Sequence, residues 1–195
     1  MLHKNPLVQF ESWYSEAIAS GEKHPDAMTL ATATRKGAPS ARIVLYKGLS
    51  KGAFRLFTNY ESRKGRELIE NPRAALTFHW KALDRQVRIE GRIRTMSKAE
   101  SKRYFHSRPR PSQIGAWASR QSQPIASREL LMERVRHYEL MFEGREVPLP
   151  PHWGGFLLLP ERIEFWKDGE FRLHDRFLFE RARGSRSWKS CRLSP

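Results

Sequence analysis

The chain has 195 residues, of which 36 are Lys or Arg and 21 are Asp or Glu, giving a formal net charge of +15; 39% are hydrophobic, including six Trp and eleven Phe. That apolar content offsets chain entropy and excludes a disordered chain, and the length suits one domain, residues 1–195, rather than two. The charge calls for an anionic partner, and composition alone leaves nucleic acid and small phosphorylated ligands equally open.

The amino-terminal Met1 to Pro6 lacks the apolar core of a secretory signal, and no run approaches the roughly 20 apolar residues of a membrane-spanning helix. A soluble, cytoplasmic protein with no membrane partner is expected. Asn5-Pro6 ahead of Leu7, Phe10, Trp13, Tyr14, Ala17 and Ile18 combines an N-cap, a first-turn proline and helical spacing, so a helix is predicted over 6–20 with Gly21 as its stop. From Ala27 the pattern changes to short strand-like runs at 28–33, 41–46, 54–58, 74–78 and 87–93. Lys36-Gly37, Lys51-Gly52 and Asn71-Pro72 punctuate them, which predicts antiparallel β-structure. Gln86, Arg88, Glu90, Arg92 and Arg94 alternate with Val87, Ile89, Gly91 and Ile93, so Gln86 faces away from the core.

Ser97 with Glu100 forms a capping box for a helix ending before Pro109, and a second helix is predicted from Ser127 to Glu143 with Gly144 as its stop. Beyond the Pro148 to Pro151 stretch lie four strand candidates, 155–159, 163–166, 171–178 and 188–193, with Asp168-Gly169 as the hairpin turn between the second and third. Cys191 stands alone, fitting a reducing compartment without a disulfide. Neither it nor the histidines at 3, 24, 79, 106, 137, 152 and 174 has a partner at metal-ligand spacing, so no metal is expected. The fold class predicted is mainly β with inserted helices, in a closed or nearly closed barrel that removes exposed sheet edges.

Four constellations carry chemistry. Arg42 to Lys47 is a strand with a cation near each end; parity puts Arg42 and Lys47 on opposite faces, serving different ligands or different parts of one. Thr58 to Gly65 is a strand end, a turn and a helix start, where free N–H groups with Arg63 and Lys64 make a phosphate site. In Tyr104 to Trp117 a helix ends, prolines stiffen the connection, and Ser112 is placed to cap a new helix beside Tyr104 and Arg108, which suits a second phosphate. Finally, the Asp168-Gly169 turn would bring Trp166 close to Arg172, His174 and Arg176, which share strand parity and crowd positive charge on one face. There is no Gly-x-Gly-x-x-Gly, phosphate-binding Gly-rich loop or Gly-x-Ser-x-Gly, so dinucleotide, nucleoside-triphosphatase and serine-hydrolase readings lack support. Arg181, Arg183 and Arg186 take no role.

Arg42 to Lys47, Ser62-Arg63-Lys64, Arg85-Gln86-Val87, Tyr104 to Trp117, Gln121-Ser122, Trp153-Gly154-Gly155, the Trp166 hairpin and the terminal Arg192 to Pro195 together resemble the pyridoxine/pyridoxamine 5′-phosphate oxidase family over about residues 25 to 195. The most specific block is Ile163-Glu164-Phe165-Trp166 with Arg172-Leu173-His174-Asp175-Arg176. The resemblance implies an FMN-binding split β-barrel, a homodimer with FMN sites where subunits meet, and a C-terminal dimerisation and active-site hairpin over about 155–195. Its FMN contacts fall on Arg42, Ile43, Val44, Leu45, Tyr46, Lys47, Phe57, Thr58, Arg63, Lys64, Gln86, Gln121, Ser122, Trp166 and Arg176. Its substrate contacts fall on Lys47, Tyr104, Arg108, Ser112, Arg172, Leu173 and His174, with Arg172 and His174 as the catalytic pair. The implied reaction oxidises pyridoxamine or pyridoxine 5′-phosphate to pyridoxal 5′-phosphate, with dioxygen reduced to hydrogen peroxide. Lys167 departs from the family's usual Gln, His or Gly. The amino terminus is shorter than in members that fold a segment over the substrate, so no comparable lid is expected.

Two rival readings follow from the same residues. A related flavin oxidase acting on a phenazine precursor would share the fold but has no use for Tyr104, Arg108 and Ser112 as phosphate ligands. A non-catalytic nucleic-acid-binding barrel would use the +15 charge, but the cations sit in separated motifs instead of one stripe interleaved with aromatics, so no nucleic-acid partner is expected.

Overall fold

The computed structural model describes residues 2–182, 184–185 and 187–195; Arg183 and Arg186 lie outside the described residues. Asn5 accepts a hydrogen bond from the Leu7 N–H and Pro6 occupies the first turn of α1 (Pro6–Ala19), as predicted. The helix buries Phe10, Trp13 and Ala17. Phe10 meets Tyr46, Phe54 and Phe78 edge-on at 5.3, 4.8 and 5.0 Å between centroids, an arrangement that favours ring edges against ring faces.

The strands are β1 (Ala27–Ala33), β2 (Pro39–Leu45), β3 (Leu49–Ser50), β4 (Ala53–Asn59), β5 (Arg73–Trp80), β6 (Arg85–Thr95), β7 (Trp153–Lys167), β8 (Asp175–Glu180) and β9 (Lys189–Leu193). All pairings are antiparallel, in the order β2-β1-β5-β6-β7-β4-β3, with β8 on β7 and β9 on β8. The inserted helices are α2 (Arg63–Glu70), α3 (Lys98–Ser107), α4 (Arg110–Ala118) and α5 (Arg128–Met141). The mainly-β architecture with inserted helices is therefore as expected; the predicted capping box of Ser97 with Glu100 opens α3, and the helix expected from Ser127 is α5, with Ser127 as its cap. Among the described residues no helix is long and apolar enough to cross a membrane.

The split comes from β7. Its first half pairs with β4, from Trp153↔Asn59 to Leu158↔Phe54, and its second half with β8, from Arg162↔Glu180 to Lys167↔Asp175, while β6 follows its other edge. This corrects the sequence expectation of two separate strands at 155–159 and 163–166. Pro160 is accommodated inside one strand because the β6 register shifts between Glu90 and Gly91, leaving Glu161 without a partner on β6, a β-bulge. Gly91 makes the bulge possible, since a Cβ there would lie 2.0 Å from the Leu159 carbonyl oxygen. Arg181, unassigned by sequence, braces the same region: its Nε donates to the Pro160 carbonyl at 2.7 Å and its guanidinium covers Trp188.

Three further expectations are corrected. The strand predicted over 171–178 begins only at Asp175, because Phe171 (φ 54) and Arg172 (φ 65) adopt left-handed backbone and break the extended run. Asp168-Gly169 therefore opens a wide connection, 168–174, instead of a tight hairpin turn. Ser112 does not cap α4; the helix starts at Arg110 behind Pro109, with Ser112 inside the first turn. A second apolar cluster, Phe105, Ile114, Phe142, Val147 and Trp153, ties the helical insertion to the start of β7.

Candidate active site

The edge strand β2, the end of β4, the start of α2, the α3–α4 corner and the first residue of β7 enclose an open cleft of about 470 Å³. Its described lining contains Lys47, Lys64 and Arg108 and no carboxylate. Ile43 and Leu45 line it with side chains 65% and 47% exposed, whereas Tyr46 turns into the core and donates to Glu11, so Tyr46 can reach a ligand only through its main chain. Lys47 lies beyond the end of β2, with its Nζ 2.9 Å from Asp26 Oδ2.

One end of the cleft is the predicted first phosphate site. β4 delivers Thr58 and Asn59, and Ser62 caps α2 by accepting from the Gly65 N–H. Lys64 Nζ donates to Gln121 Oε1 at 2.9 Å and to Thr58 Oγ1 at 3.3 Å, and Thr58 itself donates to Gln121. Burial, then the charge of Arg42, lower the Lys64 pKa. A half-buried ammonium without a carboxylate, pressed by a second cation, is relieved by an anion. Ser122, next to Gln121, is exposed with left-handed backbone (φ 69). Behind Lys64, Arg42 and Arg63 converge on the buried Glu67: Arg63 Nε lies 2.9 Å from Oε1 and Arg42 Nη2 3.3 Å from Oε2. Burial disfavours the Glu67 carboxylate, but donors from Ser40, Thr32, Arg63 and Arg42 outweigh it and hold its pKa down at about 2.

The other end is the predicted second phosphate site. The Arg108 guanidinium lies over the Trp153 ring at 4.8 Å and near Phe105 at 5.7 Å. Its Nη1 is buried with no hydrogen-bond partner, and burial lowers its pKa. Buried donors are rarely left unpaired, because each costs about 1–3 kcal/mol and more when charged. Tyr104 and Ser112 share this end, and the Tyr104 ring is stacked on Phe57 with centroids 3.8 Å apart.

The remaining predicted residues form a separate patch where β6, β7 and β8 run side by side, with Gln86 opposite Trp166 and Trp166 opposite Arg176. Arg176 donates to Glu164 Oε1 at 2.8 Å and to the Ser194 carbonyl at 3.0 Å. The His174 ring lies 4.6 Å from Trp166, and its Nδ1 is 3.0 Å from Asp168. Arg172 and Leu173 are exposed, and Phe171 is 90% exposed. The expected shared strand parity of Arg172, His174 and Arg176 is corrected: the first two belong to the 168–174 connection, so its backbone and not strand alternation aims them. Gly169 allows that connection to fold back, since a Cβ would stand 2.4 Å from the Leu173 carbonyl oxygen. Gly169→Ala is therefore expected to displace Arg172 and His174 while the melting temperature barely moves; a structure of the variant beside thermal melts checks this.

None of the patch residues lines the cleft. The two lie at opposite ends of the 15-residue β7, on the order of 40 Å apart along the strand. Sequence reading gave no role to Trp153, which seats Arg108, or to Glu67 and Glu164, which hold the arginines. For Glu67 the usable signal was its i,i+4 spacing from Arg63; Glu164 and Trp153 act across the sheet, where sequence spacing is silent.

A split barrel with a cation-lined, aromatic cleft is the architecture of FMN-binding split-barrel oxidoreductases. Residues 14–142 match the family model for pyridoxamine 5′-phosphate oxidase, and residues 153–195 match the pyridoxine 5′-phosphate oxidase C-terminal dimerisation region. The chain belongs to the pyridoxine/pyridoxamine 5′-phosphate oxidase family, its cofactor is FMN, and the second match supports a homodimer. It is 50% identical over 191 residues to the pyridoxine/pyridoxamine 5′-phosphate oxidase of Nostoc sp., covering 98% of this chain and 89% of that one. It is 54% identical over 195 residues to the Burkholderia thailandensis enzyme of the same name, covering 100% and 91%. Among solved structures, PhzG from Burkholderia lata in complex with tetrahydrophenazine-1-carboxylic acid superimposes with a TM-score of 0.92 at 30% identity, covering 99% of this chain and 94% of that one. An FMN-binding protein from Nostoc punctiforme shares the fold, with a TM-score of 0.77 at 16% identity over 95% and 97% of the two chains.

Proposed function

We propose that this protein, a single 1–195 domain, oxidises pyridoxamine 5′-phosphate and pyridoxine 5′-phosphate to pyridoxal 5′-phosphate, using dioxygen as acceptor and releasing hydrogen peroxide, with ammonia from the amine. The observation that carries this reading is a single cleft with two separated cationic ends, Lys64 at one and the unpartnered Arg108 Nη1 at the other, and no carboxylate among its described lining. Two phosphorylated molecules, a flavin nucleotide and a small pyridine, match that arrangement.

When bound, FMN supplies the two-electron oxidation, which the protein's side chains cannot perform. Arg42, Arg63, Lys64, Thr58, Gln121 and Ser122 hold its phosphate end, while 43–47 and Phe57 border the flavin. Lys47, Tyr104, Arg108 and Ser112 hold the substrate phosphate. Gln86, Trp166 and Arg176 complete the flavin site, and Arg172, Leu173 and His174 orient the substrate carbon bearing the amine or alcohol. Holding reacting atoms at roughly 3–3.5 Å removes several kcal/mol of barrier through orientation alone. Because none of the patch residues lines the cleft of its own chain, the patch that serves each cleft comes from the second protomer of a homodimer; the dimerisation-region match over 153–195 supports this.

Purified protein should be yellow, release FMN on denaturation, and produce peroxide from pyridoxamine 5′-phosphate. A colourless protein, or a flavoprotein inert towards both phosphorylated vitamers, would remove the proposal. The likeness to PhzG favours one second reading, oxidation of a reduced tricyclic heteroaromatic carboxylic acid. Steady-state comparison of pyridoxamine 5′-phosphate, pyridoxamine and a reduced phenazine separates the two, because only the first reading requires the phosphate.

A further inference from the structure

We propose that Glu67 is a positioning residue of the flavin-phosphate site, fixing Arg42 and Arg63 so that, with Lys64, they present a preformed cradle to a phosphate monoester. The inference rests on the FMN reading above and assigns the site a member that does not itself face the cleft.

Glu67 is a carboxylate only 3% exposed, on the inner side of α2. Four side chains from three elements donate to it: Thr32 from β1, Ser40 at 2.6 Å and Arg42 at 3.3 Å from β2, and Arg63 at 2.9 Å from one turn earlier on α2. The sheet register makes this convergence possible, because Thr32 pairs with Ser40 and Arg42 is two residues further on the same face. Arg42 is pinned further, with Nη1 donating to Thr32 Oγ1 at 2.5 Å and to the Leu30 carbonyl at 3.2 Å.

Arg63 spends only its Nε on Glu67 among the described hydrogen bonds, and its side chain is 59% exposed. Both terminal nitrogens thus stay available in a fixed plane, the geometry in which a guanidinium grips a phosphate with two parallel bonds. Without the carboxylate, Arg42, Arg63 and Lys64 would crowd three like charges at one helix start and spread apart. With it, two positive charges remain, the complement of a phosphate monoester carrying about −1.5 to −2.

This role has an unusual sign. A carboxylate beside a phosphate site should repel the ligand, so if charge alone mattered, Glu67→Gln would tighten FMN binding; if positioning matters, it weakens it. Flavin-free full-length protein titrated with FMN and with riboflavin, which lacks the phosphate, reads the difference. The expected result is a roughly 10- to 100-fold loss of FMN affinity in Glu67→Gln, the scale of one or two misaligned charge-assisted bonds, with riboflavin affinity changed less than about twofold. In an Arg63→Ala background the same substitution should cost distinctly less, because one of its clients is gone. Glu67→Asp, which keeps the charge but pulls it back, should fall between and serves if Glu67→Gln does not fold.

Unchanged or tighter FMN binding in Glu67→Gln overturns the proposal, as does equal weakening of FMN and riboflavin, which marks a purely structural residue. Wild-type protein that takes both flavins equally well would instead overturn the assignment of Lys64 and its neighbours as the phosphate site, and this inference with it.

Discussion

Arg108→Met is expected to raise KM for pyridoxamine 5′-phosphate roughly 10- to 100-fold, corresponding to the ~1.5–3 kcal/mol of a hydrogen bond to a charged group, and to leave the poor turnover of unphosphorylated pyridoxamine unchanged. The guanidinium is half-buried over Trp153 with Nη1 unpaired, so the protein has already desolvated a donor whose partner is to come from the ligand. Methionine keeps much of the apolar stem against Trp153 and removes the charge, which separates recognition from packing. Steady-state kinetics with both substrates decides the matter. An equal loss on both would mean that Arg108 shapes the cleft without reading a phosphate.

His174→Ala and Arg172→Ala are each expected to lower kcat by roughly 100-fold, the scale of a misplaced reacting group, with FMN content and melting temperature close to wild type. His174 is seated by its approach to Trp166 and Asp168, and Arg172 is held at φ 65 in a connection that buries little apolar surface. Such backbone strain, kept where packing does not need it, marks a loop whose geometry serves a ligand. Asp168→Asn, which leaves the ring in place but weakens its anchor, should cost less than His174→Ala. Turnover of both phosphorylated vitamers unaffected by either alanine would contradict the assigned roles.

Local signals carried well from sequence to structure. Asn5-Pro6, Ser97 with Glu100, and Ser127 each announced a helix start that the backbone adopts, because a cap is decided within four residues. The failures involve partners distant in sequence. Pro160 looks like a strand break until Gly91 of β6 supplies the bulge opposite it. Arg172, His174 and Arg176 look like one strand face until the paired ends Lys167 and Asp175 leave 168–174 to find its own path through left-handed residues. The cleft cations Lys64 and Arg108 were readable from Arg63-Lys64 and Tyr104 to Ser112. Glu164 and Trp153, which hold arginines still, were not, and of Glu67 only the pairing with Arg63 was, since the other contacts cross between elements.

The central claim is that each catalytic site joins the Arg108 cleft of one protomer to the His174 patch of the other. Mixing Arg108→Ala and His174→Ala proteins under conditions that let subunits exchange, and assaying well below the wild-type KM for pyridoxamine 5′-phosphate, where each variant alone is nearly inactive, tests it. Random reassortment makes roughly half of the dimers mixed, each with one intact and one doubly damaged site, so activity should return to about a quarter of wild type. Exchange verified by mass with no recovery of activity would show that Arg108 and His174 work within one chain, and would contradict the shared site.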